Sequence, residues 1–292
     1  VVDHPSHRVR VTTAPAVVTG AVILAELLRR LDDVPSRRPV AARVLQLTRD
    51  DVSSSAQVGA AIGADPALAA RLLRLANSAF YGLSGRIGSP ALAVTIVGFT
   101  TVSSLAVTAA AGVDDPERLP PGFWERSAAA AIAAGTLAPR FGLDPSETFC
   151  LGLLATIGQA LVHQVDPSYR LVCAQRPTRA ELLAAEVARY GTSQVEVTAR
   201  ALQAWRFPTR MAQTVQALGD TADDVLLTAD PVSRSSSCLR VAIELAERVT
   251  HERHEPTPVE TLSAGRVRER QVDDVVAAIE SGASDLARAV TC

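Results

Sequence analysis

The sequence has no lysine, and all 29 of its basic residues are arginine. Coding bias in a GC-rich genome accounts for that, so no functional choice is read into it. Aromatic residues are also scarce at 4%, and the core must therefore be built mainly from Ala, Leu and Val, which pack well between helices. The four cysteines, Cys150, Cys173, Cys238 and Cys292, stand far apart with no Cys-x-x-Cys pair and no neighbouring His, which excludes a sequence-encoded zinc site. Nothing in their placement calls for an oxidising compartment. There is no Gly-rich phosphate loop, no Gly-x-Ser-x-Gly elbow and no Cys-His pairing. The formal net charge of −2 supplies no global field toward nucleic acid or an acidic membrane.

What is present is helical pattern. Residues 1–20 lack periodicity and read as an arm, and Ala21–Leu31 reads as a short helix. From Pro39, Val40, Val44, Leu45 and Leu47 form one stripe, and Ser53–Ser55 offer caps for a helix lined by Val58, Ala61 and Ile62. Asp65-Pro66 opens an amphipathic run over Ala67–Phe80, with Leu68, Leu72, Leu73 and Leu75 inward and Arg71 and Arg74 outward. The 27 uncharged residues from Ile87 to Val113 are interrupted by Pro90, Gly98 and several Ser and Thr, which favours a buried helical hairpin, two helices across 90–111, over a membrane span. A breaker cluster at 114–122 marks a subdomain boundary. Helices are then expected over Phe123–Phe141, Asp144–Val165, Arg179–Tyr190, Ser193–Trp205, Pro208–Leu218, Ser236–Thr250 and Val272–Val290, with a polar connector at 219–234 and a loose segment at 251–270. The expected fold is all-α, a two-lobed helical bundle. Residues 1–33 form an arm and short helix, 34–116 an N-terminal helical lobe and 117–290 a second helical lobe.

Several motifs carry a family resemblance. Asp65-Pro66-Ala67-Leu68 continues through Ala76-Asn77-Ser78-Ala79-Phe80-Tyr81-Gly82, Phe123-Trp124 precedes an Ala-rich helix, and Gly152-Leu153-Leu154 is followed by Ile157-Gly158. Tyr190-Gly191 and Trp205-Arg206-Phe207-Pro208 complete the series, with Phe207 where the family pattern has Leu. Together these resemble HDOD domains, the HD-related output domains of bacterial signalling proteins, over residues 34–290, with the second lobe as the HD-like core. Asp65, Pro66, Asn77, Ser78, Tyr81, Gly82, Trp124, Gly152, Gly158, Gly191, Trp205 and Pro208 are the signature positions, and their reading is architectural. Asn77 can satisfy carbonyls at a helix end, Gly82 can take a positive φ, and Trp205 with Pro208 can pin a helix terminus.

The resemblance extends to the catalytic HD superfamily, whose corresponding helix reads Gly-Leu-Leu-His-Asp-Ile-Gly-Lys. Here Ala155 and Thr156 stand at the His-Asp pair, Arg126 and Ser127 at the first ligand region, Gln194 near the third and Ala217-Leu218 near the fourth. A catalytic HD centre needs His nitrogens and Asp oxygens converging on metal. Of the five histidines, His4, His7, His251 and His254 fall in polar segments and His163 stands alone on an apolar helix.

The expectation is a non-catalytic regulatory chain, with no metal or other cofactor, that binds a signalling protein or small effector. The degenerate cleft at Arg126, Ser127, Ala155, Thr156, Gln159 and Gln194 is the candidate site. Alternatives are binding of a nucleotide or cyclic dinucleotide and an unconventional metal-dependent phosphohydrolase. Neither nucleic acid nor membrane is an expected partner, homo-oligomers are left open, and the lack of a leader pattern points to a cytoplasmic setting.

Overall fold

A computed structural model describes residues 38–291 except 84, 114–115, 175–177, 221–229 and 251–255, together with Val22, Ala25, Glu26 and Arg29. The arm at 1–20, most of the helix expected at 21–31, four of the five histidines and Cys292 lie outside the described residues. The fold is all-α, with no strand among the described residues.

The first helices are α1 (Pro39–Leu47), α2 (Ser55–Gly63), α3 (Pro66–Ala76) and α4 (Pro90–Ala110). Their starts follow from local chemistry. Ser54 and Gln57 close a reciprocal capping box on α2, and Asp65 accepts from the Ala67 and Leu68 amides at 3.0 and 3.1 Å ahead of Pro66. The α4 helix is broken at Gly98, whose φ of 80° and ψ of 160° are open to glycine, so the two helices expected here abut with no loop between them.

The α5 helix (Phe123–Leu137) is the centre of the molecule. It packs against α6 (Pro145–Leu154), α12 (Pro231–Val249) and α14 (Asp273–Thr291), the last of which also touches α3. Ala128 to Ala134 are buried without a break, apart from Ile132 all alanine. Such small side chains let helix backbones approach closely. A Cβ added to Gly152 on α6 would lie 2.6 Å from the Ala130 carbonyl oxygen. This close packing is how a chain poor in aromatics fills one connected apolar core.

The remaining helices are α7 (Ile157–Val165), α8 (Tyr169–Ala174), α9 (Arg179–Tyr190), α10 (Gln194–Ala204), α11 (Thr209–Gln216) and α13 (Val259–Leu262). Two stretches, 90–110 and 145–165, are long and apolar enough to cross a membrane, yet 56% and 83% of their tested windows are buried against the chain itself, as core helices are.

Four expectations need correction. The single helix expected over Asp144–Val165 divides into α6 and α7 at Ala155-Thr156, where Thr156 turns to φ −113°, ψ 12°. The run expected to Phe80 stops at Ala76, because the Asn77 amide takes the Leu73 carbonyl at 2.8 Å. Arg71, expected to face outward, is buried at 8% exposure. It lies three residues after Leu68 and four before Leu75, on the inward face of α3. The segment expected to be loose contains α13 and buries Val259, Ser263 and Val267. Side-chain bonds to backbone hold it, including Val267 N–H to Ser263 Oγ at 3.0 Å and Val259 N–H to Glu269 Oε1 at 3.2 Å.

Candidate functional site

The break between α6 and α7 puts Ala155 and Thr156 at the foot of α5. Ala155 is fully buried, and Thr156 Oγ1 lies 3.4 Å from Ser127 Oγ. Immediately beyond, Gly158 docks α7 on α10, with its N–H donating to Thr198 Oγ1 at 2.9 Å. Gln194, the first residue of α10, is buried at 1% exposure, and its side-chain amide makes no hydrogen bond to the described residues. Gln159 is half-buried on α7, and Arg126 turns away to donate to the Pro121 carbonyl at 2.8 Å. Ser127 thus meets Thr156, and Gln194 meets the α7 terminus, while the recorded bond of Arg126 leads to the 121 turn.

A buried polar network supports this corner. Glu186 on α9, at 1% exposure, accepts from the Tyr169 hydroxyl and, at 2.8 Å, from the Gln194 backbone N–H. Burial holds its carboxyl above the ordinary carboxylate range, against those hydrogen bonds and the Arg179 charge. Asp166 at the end of α7 accepts from the Tyr190 hydroxyl at 2.9 Å and pairs with Arg189 at 3.0 Å. His163 lies on α7 at 9% exposure, and burial and then Arg170 push its pKa below the usual imidazole value, with Asp166 opposing.

The signature positions are distributed through the framework. Asn77 bridges α3 to Ile87, donating to the Ile87 carbonyl at 2.8 Å and accepting from its amide at 2.9 Å. Ser78 is buried before a short turn that carries Tyr81, which packs edge-on to Phe80 and Phe149. Gly82 follows at φ 66°. Trp124 Nε1 donates to the Val113 carbonyl at 3.0 Å and ties the start of α5 to the end of the α4 region. Gly191 ends α9 at φ 69°. Trp205 is buried, and its carbonyl accepts from Arg49 at 2.5 Å, while Pro208 precedes α11.

A metal centre of the HD kind does not fit the corner between α5, α7 and α10. Its side chains there are two neutral hydroxyls, an amide and a methyl, whereas such metals are held by imidazole nitrogen and carboxylate oxygen. Among the described residues no group of three or more His, Cys, Asp or Glu is placed to hold a metal ion.

Sequence reasoning missed two cavities. One, of about 380 Å³, lies between α9 and α12 and is lined by Arg179 and Arg240 together with Asp220, Glu244 and Glu247. Arg240 donates there to the Ala217 and Asp220 carbonyls, and burial, with help from Arg179, lowers its pKa to about 10. The other, of about 330 Å³, lies where the ends of α1 and α10 meet α4 and is lined by Arg49 and Arg206. No apolar or cap pattern marks either one, although an arginine inside the Trp205–Pro208 turn was visible as the residue between two signature positions.

Comparison with known proteins agrees with this architecture. The solved structure of a candidate phosphohydrolase from Shewanella amazonensis is similar at a TM-score of 0.68 and 24% identity, covering 91% of this chain and 98% of that one. A candidate signal transduction protein from Marinobacter aquaeolei matches at a TM-score of 0.66 and 20% identity, over 96% of this chain and 68% of that one. An HDOD domain protein with unknown function from Geobacter sulfurreducens matches at 0.56 and 20% identity, over 91% and 98%. At these identities the likeness is one of fold. No curated protein matches in sequence. The HDOD domain family model matches residues 34–220, well over half of the sequence, and the chain belongs to the HDOD domain family.

Proposed function

We propose that this HDOD chain is a non-catalytic regulatory module of bacterial signalling, acting by binding a signalling protein or a small effector. The observation that carries the reading is the contact of Ser127 with Thr156 at 3.4 Å beside buried Ala155. Where a hydrolase of this superfamily assembles charged metal ligands, this chain brings neutral groups together. The change is coordinated, since Gln194 stands at a third ligand region and Ala217-Leu218 at a fourth. Neutral hydroxyls and an amide supply neither the charge that holds a divalent ion nor a general base poised near neutral pH. Meanwhile the helical framework is tightly packed, as a scaffold for binding requires.

The test is a hydrolysis assay of the full chain on phosphomonoesters, nucleotides and cyclic dinucleotides with added Mn²⁺, Fe²⁺ or Mg²⁺. The expected result is no turnover above the metal-only background. Turnover that disappears in Ser127→Ala or Thr156→Val would reverse the reading.

A further inference from the structure

The α10 helix ends on a left-handed residue that is not glycine. Its last turn closes with Arg206 N–H on the Gln203 carbonyl and Phe207 N–H on the Leu202 carbonyl, both at 2.9 Å. This paired closure places the residue after the cap in the left-handed region, a position that favours glycine. The same region is taken by Gly142 at φ 66° and Gly191 at φ 69°, and after the short α13 by Ala264 at φ 53°. At the end of α10 the residue is Arg206, at φ 54°. This conformation, shared with Ala264, sets the direction in which Arg206 leaves the helix end.

Arg206 lines the cavity of about 330 Å³ together with Arg49. Arg49 is anchored by its bond to the Trp205 carbonyl. Burial and the nearby Arg206 charge both hold the Arg49 pKa down, so the two guanidiniums lie within electrostatic reach of each other. No carboxylate lines the cavity, and neither arginine has an ion-pair partner among the described residues. Two like charges are thus held together without a counter-charge. Thr48, Thr100 and Ser103 contribute hydroxyls, with Ser103 Oγ donating to Thr48 Oγ1 at 2.7 Å. Phe99, Trp205 and Phe207 contribute aromatic surface.

We infer that this cavity binds a mononucleotide, its phosphate between Arg49 and Arg206 and its base against the aromatic wall. A phosphate supplies the missing negative charge, and guanidinium forks match its oxygens in bidentate fashion. Aromatic surface suits a planar base, and hydroxyls suit ring edges and ribose. The volume falls at the small end of ligand pockets, roughly 300–1,000 Å³, which suits one nucleotide in preference to a dinucleotide. Because the walls come from the ends of α1 and α10 and from α4, occupancy clamps together elements far apart in the sequence. That is a means of regulation. The inference rests on the reading of the chain as a binding module and names the effector that such a module senses.

The experiment titrates the full chain with AMP, GMP, CMP and UMP, following melting temperature and calorimetric affinity. Adenosine, inorganic phosphate and a phosphotyrosine peptide serve as comparison probes. A specific ligand raises the melting temperature of the native state. At least one mononucleotide is expected to do so, with its nucleoside and inorganic phosphate at least tenfold weaker. Arg206→Gly relieves the backbone and removes the charge together. Its ligand-free melting temperature should equal or exceed that of the wild type, while mononucleotide affinity falls at least tenfold. Arg49→Gln should weaken binding similarly. The inference is overturned if no mononucleotide binds, if phosphate alone or the phosphopeptide binds as tightly, or if both variants keep full affinity. Chromatography of the recovered ligand separates the two claims. Intact nucleotide supports both, whereas hydrolysed nucleotide sinks the non-catalytic reading and leaves the binding site standing.

Discussion

Gly158 sits so close to Gln194 that a Cβ at position 158 would lie 2.1 Å from the Gln194 carbonyl oxygen and 2.7 Å from Thr198 Oγ1. Backbone cannot retreat from such a contact without separating α7 from α10. Gly158→Ala should therefore cost about 1–3 kcal/mol or more, the range for overpacking a close-packed interior. Gly63, exposed at the end of α2, is the control, since nothing lies within 4 Å of its Cβ position and its φ is not positive. Gly63→Ala should stabilise by about 0.4–1 kcal/mol, by restricting the unfolded chain. Chemical denaturation of both variants measures the contrast. Equal effects would show that the α7–α10 contact is looser than described.

The Glu186 carboxylate joins three helices through Tyr169 and Gln194. Glu186→Leu strands the Gln194 N–H in the interior and leaves the Tyr169 hydroxyl only its hydrogen bond with Cys173, for an expected loss of about 1–3 kcal/mol, the cost of one buried orphan. Glu186→Gln adds a pH test. Because burial raises the folded pKa of Glu186, the folded protein holds that proton more tightly than the unfolded chain does. Its contribution is full below the unfolded value of 4.5 and is lost as pH rises through the folded value. Wild type should lose stability relative to Glu186→Gln over that rise. A wild type that gains stability relative to Glu186→Gln over that rise would place the shift in the opposite direction.

His163 carries the opposite sign. Its folded pKa lies below 6.5, so the unfolded chain takes up this proton first as pH falls. Stability from the neutral imidazole is present above 6.5 and drains away as pH falls through that value toward the folded one. Denaturation from about pH 7.5 to about pH 5 should show wild type losing stability relative to His163→Gln. An unchanged gap across that range would mean that the imidazole is solvated.

Helix periodicity and cap chemistry were legible in the sequence because they are local. Asp65 beside Pro66 marks a helix start from two residues, and the Leu68, Leu72 and Leu75 stripe marks its inner face. Arg71 is charged yet buried, because its spacing from Leu68 puts it on that face. The division at Ala155-Thr156 carries no Pro or Gly at the break itself. It follows from the docking of Gly158 on α10, which is a tertiary event. The segment after Pro256 has no apolar repeat, and its order comes from Glu269 and Ser263 bonding to backbone. At the candidate site, the neutral side chains at 127, 155, 156 and 194 were legible, but the meeting of Ser127 with Thr156 was not. The Arg49–Arg206 cavity was least legible, since Arg49 and its acceptor Trp205 are 156 positions apart.

On side-chain chemistry, the corner at Ser127, Ala155, Thr156 and Gln194 is not expected to hold a catalytic metal. The most direct measurement is elemental analysis of the full chain purified without chelator, incubated with Mn²⁺, Fe²⁺ or Zn²⁺ and freed of excess ion by gel filtration. Far less than one ion per chain is expected, with no difference between the wild type and Thr156→Val. One or two ions retained per chain, reduced by that substitution, would contradict it.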